Sequence, residues 1–122
     1  MINSIANIAV ILVAVLHLYF LYLEMFQWTK PLGLKTFGND AEFAKKSAVL
    51  AANQGLYNGF LAAGLIWSAL AVGSEALHLK IFFLSCVIVA GIYGGYSANK
   101  KIFFVQGLPA LIALAIILNL YL

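Results

Sequence analysis

Two ionisable side chains, His17 and Glu24, interrupt the first long apolar stretch of the chain. They are seven residues apart and therefore share one face of a helix. A histidine can relay protons, and a carboxyl group inside an apolar segment can take up a proton or a cation. The two side chains are separated by about 10 Å along the helix axis, so they cannot jointly ligate one metal ion. The spacing indicates a polar ladder, and no metal site is predicted. The alternative for His17 is a structural hydrogen bond to another helix, and the alternative for Glu24 is contact with headgroup water or Lys30 near the end of the span.

A second polar group lies in the first half of the next apolar stretch and comprises Asn53, Gln54, Tyr57 and Asn58. Its members form two pairs spaced four residues apart, so the group covers an arc of about 140° on a helix. An arc of that width is typical of a cavity wall. Amide side chains also form ordinary hydrogen bonds between membrane helices, which leaves a purely structural role as the alternative.

Two further polar residues complete the candidate site. Tyr93 lies near the end of the third apolar stretch and Gln106 near the start of the fourth, which places both at the same expected membrane depth as the first two groups. The predicted ligand-binding residues are His17, Glu24, Asn53, Gln54, Tyr57, Asn58, Tyr93 and Gln106. We expect them to line one cleft open to the cytoplasm, because lipid cannot satisfy their polar atoms. No residue is predicted to be catalytic.

The composition requires a membrane around the elements that carry these residues. Of 122 residues, 65% are hydrophobic and 9% are charged, and the mean hydropathy is +1.03, whereas soluble domains are about half apolar and a quarter charged. A water-soluble globule is therefore excluded. Since a spanning helix needs about 20 apolar residues, four spans use nearly the whole chain. We predict an all-α fold, an integral membrane four-helix transmembrane bundle, as a single domain over residues 1–122.

Short polar breaks separate the predicted spans. The spans are predicted over residues 5–26, 48–72, 79–98 and 102–122, with breaks near residues 27–40, 73–78 and 99–101. Pro31 and Gly33 end the first helix, and Gly73 ends the second. Asn39 followed by Glu42 is typical of a capping box, and it predicts a short interfacial turn of helix that leads into the second span.

The lysines of the connections predict the orientation. The first and third connections contain six lysines, which are Lys30, Lys35, Lys45, Lys46, Lys100 and Lys101. The opposite side contains only Lys80. Positively charged residues of short loops stay on the cytoplasmic side, so both termini are predicted to lie outside.

Several kinds of chemistry are missing from the sequence. All seven basic residues are lysines, so the arginine forks that read nucleic acid are absent and nucleic acid is not an expected partner. Cys86 has no second cysteine with which to form a disulfide. The sequence contains no metalloprotease, hydrolase or phosphate-loop motif, and no cofactor is predicted. The expected partners are membrane lipid, a small-molecule ligand and, by analogy with small dimeric exporters, a second copy in a homodimer.

Two small-residue motifs predict how the helices pack. Gly55 and Gly59 form one GxxxG pattern, and Gly91 and Gly95 form another. Such patterns let helix backbones approach closely. We expect spans two and three to pack against each other through these glycines.

Several motifs carry a family resemblance, and they are found at residues 17–19, 23–26, 51–64, 91–94 and 106–110. They include the sequences His-Leu-Tyr, Leu-Glu-Met-Phe and Ala-Ala-Asn-Gln-Gly-Leu-Tyr-Asn-Gly. Over nearly its whole length the chain resembles the small bacterial membrane proteins grouped as domain of unknown function 1304. The resemblance implies a four-span protein of the bacterial inner membrane and no established activity.

The polar cleft predicts a ligand-binding or transport protein for a small polar or amphipathic molecule. Glu24 would act as a proton- or cation-linked carboxylate, His17 as a titrating relay and the amides as selectors. One alternative is a membrane-embedded enzyme that acts on a lipid-like substrate, with His17 or Glu24 as general acid or base. Another is a structural subunit of a membrane complex. The sequence does not decide whether the protein is an enzyme.

Overall fold

The described part of the chain, residues 2–122 in a computed structural model, is almost wholly helical; of residue 2 only the backbone is described. In chain order the helices are α1 (Ile2–Phe26), α2 (Pro31–Phe37), α3 (Ala41–Leu70), α4 (Gly73–Ser97), α5 (Lys100–Ile102) and α6 (Leu108–Tyr121), with a π-helical turn over Phe103–Gly107 between the last two. Residues 2–122 contain no strand. The prediction of an all-α fold is confirmed.

Three helical segments are long and apolar enough to cross a membrane, and they are Asn3–Phe26, Gly73–Ser97 and Lys100–Tyr121. Each is longer than the roughly 20 residues that a span requires. Helix α3 is also long, with 30 residues, but the amide side chains in its middle make it less apolar than the other three. The segments are typical of a membrane protein.

The first break contains a short helix and two caps. Pro31 begins α2, where its missing N–H costs nothing, and Gly38 ends it in the left-handed conformation with φ of 68°. The backbone N–H of Phe43 donates to Asp40 Oδ1 at 2.8 Å, so Asp40 caps α3. The predicted cap at Asn39 is wrong by one residue, because the carboxylate of Asp40 is the acceptor that reaches the first turn of α3.

The second break is shorter than predicted. Helix α3 ends at Leu70, and α4 already begins at Gly73, whose φ is 70°. The predicted break over residues 73–78 and the restart at Leu79 are therefore wrong. The positive φ of Gly73 turns the chain within two linking residues, and the polar residues that follow it form the first turns of α4 instead of a loop.

The last apolar stretch contains a widened helical turn. The N–H of Leu108 donates to the carbonyl of Phe103, a spacing of five residues instead of four. The turn directly precedes Pro109, which has no N–H for the helical ladder. A π-helical turn of this kind is a common way to accommodate such an interruption.

The described residues form two compact units. One comprises residues 15–62, and the other comprises residues 63–122 together with the chain up to residue 14. The buried apolar core of the first unit includes Leu23, Ala44, Ala51 and Ala62. The core of the second unit includes Val10, Leu65, Leu84, Val87 and Ile117.

Two glycines form a backbone-to-backbone contact in the second unit. A Cβ atom on Gly91 would lie 2.5 Å from the Cα and N atoms of Gly107, so α4 meets the π-helical turn backbone to backbone. Where α3 approaches α4 in this unit, the contact instead places Gly64 beneath the ring of Phe83. The expected packing of spans two and three through the two GxxxG patterns is therefore wrong, because Gly91 faces another partner.

Candidate functional site

A buried carboxyl group and a buried amide form the centre of the candidate site. Glu24 lies in the last turn of α1 and Asn58 in the middle of α3, and their exposed fractions are 4% and 8%. Asn58 Nδ2 donates a hydrogen bond to Glu24 Oε1 at 2.5 Å. The pair therefore joins two helices of the unit formed by residues 15–62.

Two glycines of α3 bring the amide within reach of the carboxyl group. A Cβ atom on Gly55 would lie 2.7 Å from Met25 Cγ and 3.2 Å from Glu24 Cβ. A Cβ atom on Gly59 would lie 2.7 Å from Leu21 Cδ1. Because these two positions carry no side chain, α3 approaches the end of α1 closely. The first GxxxG pattern thus packs against α1.

The other polar residues of α3 surround this pair unequally. The side chain of Gln54 makes a second hydrogen-bonding contact to the Glu24 carboxyl group, although the residue as a whole is exposed. Asn53 is exposed, and so is Tyr57, with 62% of its surface accessible. The structure therefore brings Gln54 and Asn58 to Glu24 and leaves the two other residues on the surface of this unit.

His17 lies on the same helix as Glu24, seven residues further from the end of α1. It is fully buried, and its ring meets Phe20 edge to face at a centroid distance of 5.1 Å. An imidazole in this position is shielded from lipid and water. Its burial places it inside the protein, where a polar side chain in a span is expected to lie.

The two remaining predicted residues belong to the unit that contains residues 63–122. Tyr93 is 69% exposed. It lies at one end of a shallow groove of about 510 Å³ along α4, and Phe82, Cys86 and Val89 also line this groove. Gln106 is half-buried within the π-helical turn. The single cleft lined by all eight residues stays a prediction.

Sequence reasoning missed the buried state of Lys80. This lysine is only 2% exposed, in α4, and its Nζ donates to the backbone carbonyl of Ser68 at 2.6 Å. That carbonyl lies in the last turn of α3, where helical carbonyls lack partners of their own. Lys80 therefore caps the end of α3. The sequence feature that could have predicted this role is the position of Lys80 between apolar residues rather than in a polar loop.

The Glu24–Asn58 pair lies within the part of the chain that matches a known family. The model of the family described as "Protein of unknown function (DUF1304)" matches residues 11–118. The chain belongs to the DUF1304 family. A relative, "Uncharacterized protein YpaA" of Lactococcus lactis subsp. lactis (strain IL1403), is 36% identical over 106 residues, which are 85% of this chain and 88% of that protein. No solved structure matches the chain.

The candidate site of this DUF1304 protein offers a carboxyl group and an amide that are hydrogen-bonded to each other. Among residues 2–122, His, Cys, Asp and Glu side chains do not gather in groups of three that could hold a metal ion. None of the lysines in this range forms a salt bridge with Glu24; Lys46 instead pairs with Glu42 at 3.3 Å.

Proposed function

We propose that this DUF1304 protein is a four-span protein of the bacterial inner membrane that binds or transports a small amphipathic cation, coupled to a proton at Glu24. The predicted residues within residues 15–62, centred on Glu24 and Asn58, form its binding cleft, which opens to the cytoplasm. Both termini lie outside the cell, and the whole chain is one domain. The observation that carries the proposal is the buried contact between Glu24 and Asn58.

The cost of burying a carboxyl group supports a functional role for Glu24. A charged side chain costs about 3 kcal/mol at the centre of a bilayer and less towards the end of a span, where Glu24 lies, and a neutral residue could provide the same helix contact without any such cost. Asn58 and Gln54 both bond to the carboxyl group, so they hold it in one orientation. Such ionisable groups in spans commonly mark proton relays and substrate paths.

The length and flanks of α3 support a fourth span. Its 30 residues would cover about 45 Å along the axis, more than the hydrocarbon core of about 30 Å. The lysines at its start and those before α6 would then lie on the same, cytoplasmic side.

A binding measurement with a lipophilic cation tests the proposal. We expect tetraphenylphosphonium to bind the purified protein in lipid nanodiscs and to displace about one proton per cation, because the carboxyl group must be ionised to attract the cation. Glu24→Gln keeps the shape and the hydrogen bonding but removes the charge, and it is expected to weaken binding at least about tenfold, or about 1.4 kcal/mol.

The matched control is Glu42→Gln, which removes an exposed carboxylate from the first turn of α3, the helix that carries Asn58. It should leave both binding and proton release unchanged. Equal binding by the wild type and Glu24→Gln would contradict the proposal. Turnover of a lipid-like substrate without cation binding would favour an enzyme instead, and a stable complex with another membrane protein would favour a subunit.

A further inference from the structure

The connection between α1 and α3 is a built corner rather than a loose loop. Trp28 Nε1 donates to Ser47 Oγ at 3.0 Å, which ties the two ends of the connection together. The rings of Trp28 and Phe37 lie 4.8 Å apart, so α2 packs against the same tryptophan. A Cβ atom on Gly33 would lie 1.8 Å from the carbonyl oxygen of Gln27, so α2 touches the backbone of the preceding turn.

This corner, defined as residues 27–47, holds four lysines on its surface. Lys30, Lys35, Lys45 and Lys46 are all exposed. Lys46 pairs with Glu42 at 3.3 Å, whereas the other three lysines form no salt bridge within residues 2–122. The corner therefore has a net charge of +2, from four lysines against Asp40 and Glu42, and three of its lysines form no salt bridge among the described residues.

Exposed apolar side chains lie beside these charges. Leu32 on α2 and Phe43 in the first turn of α3 are both exposed. Leu32 precedes Lys35 by three residues, which puts the two side chains on one face of α2. Apolar side chains next to lysines are typical of helices that lie at the membrane interface, where the apolar part enters the acyl region and the ammonium group meets the headgroups.

We propose that the corner of residues 27–47 is a binding surface for the headgroups of anionic phospholipids. Charge complementarity identifies the ligand of this surface. The ammonium groups of the three unpaired lysines attract phosphate groups, and the adjacent side chains of Leu32 and Phe43 pack against acyl chains rather than facing water. A fixed corner also loses little conformational freedom on binding. This surface is separate from the Glu24–Asn58 pair and does not depend on cation binding there.

Trp28 provides a local reporter for the test. In a Trp67→Phe background, Trp28 is the remaining tryptophan, and its fluorescence is quenched by brominated lipids that reside next to it. We expect brominated phosphatidylglycerol to quench it more strongly than brominated phosphatidylcholine in mixed vesicles. Each lysine near an anionic membrane surface contributes a factor of about five in lipid selectivity. Replacing Lys30, Lys35 and Lys45 together with glutamine should therefore make the two lipids quench equally.

A single variant keeps the test valid if the triple variant fails to fold. Lys35→Gln is expected to lower the selectivity about fivefold, whereas the matched control, Glu42→Gln combined with Lys46→Gln, removes an ion pair of zero net charge and should leave the selectivity nearly unchanged. About 1 M NaCl, where the Debye length is about 3 Å, should abolish the preference in the wild type. Equal quenching by both lipids, or equal effects of Lys35→Gln and the control, would overturn the proposal. Loss of the preference on adding inorganic phosphate at constant ionic strength would also overturn it, in favour of a site for free anions.

Discussion

Replacing Gly91 with alanine should separate α4 from the π-helical turn. The new Cβ atom would lie 2.5 Å from the Cα and N atoms of Gly107, whereas carbon atoms in ordinary contact are about 3.5 to 4.0 Å apart. The two backbones must therefore move apart by about 1 Å or more, since Gly107 has no side chain that could rotate away. Overpacking of this kind typically costs about 1–3 kcal/mol.

Gly59→Ala is the matched control for this substitution. Its Cβ atom would meet only the Cδ1 methyl group of Leu21, at 2.7 Å, and a leucine methyl can move by a change of rotamer. Alanine gains up to about 1 kcal/mol over glycine in both helices through its higher helix propensity. The difference between the two variants therefore isolates the contact between Gly91 and Gly107, and we expect Gly91→Ala to be less stable than Gly59→Ala by about 1–3 kcal/mol.

The assay is reversible unfolding in mixed micelles of a mild detergent and dodecyl sulfate, followed by far-ultraviolet circular dichroism. The unfolding midpoint of Gly91→Ala should fall at a lower mole fraction of dodecyl sulfate than that of Gly59→Ala. Coincident midpoints would refute the reasoning, because they would show that the backbones at Gly91 and Gly107 are not in contact in the membrane protein.

Three further predictions concern the first connection and the orientation. Asp40→Ala removes the side-chain acceptor that caps α3 and should cost about 1 kcal/mol of stability; an unchanged unfolding midpoint would contradict the cap. Gly33→Ala should detach α2, since its Cβ atom would overlap a main-chain oxygen, and limited proteolysis should then cut the connection faster than in the wild type. Cysteines placed singly at Lys45 and Lys101, in a background that lacks the native cysteine, should react with an impermeant maleimide only after the cells are opened. Reaction in intact cells would place the lysine-rich connections outside and reverse the proposed orientation.

Local features of the sequence were enough to predict most of the helices and one part of the candidate site. Apolar runs of about 20 residues favour helices in a membrane, because each backbone polar group must be satisfied within its own segment. Pro31 also predicted an interruption of the helix for a local reason, although α1 already ends at Phe26 and Pro31 begins α2. The polar residues that share one expected membrane depth also include Glu24, Gln54 and Asn58, which the structure brings into contact.

The partners of these elements were decided by the tertiary structure. The two GxxxG patterns predict close packing of helices, but they do not identify the partners. Only the structure shows that Gly55 contacts α1 and that Gly91 contacts Gly107. Lys80 looked like a charge at the end of a span, and only the neighbouring end of α3 makes it a buried capping residue. The free energy of transferring a segment into the membrane and the hydrogen bonds of its backbone depend only on residues within that segment. The sequence therefore determines which segments are helical. Which helix faces which depends on the fit of whole side-chain surfaces to each other, and that fit exists only once all the helices are in place.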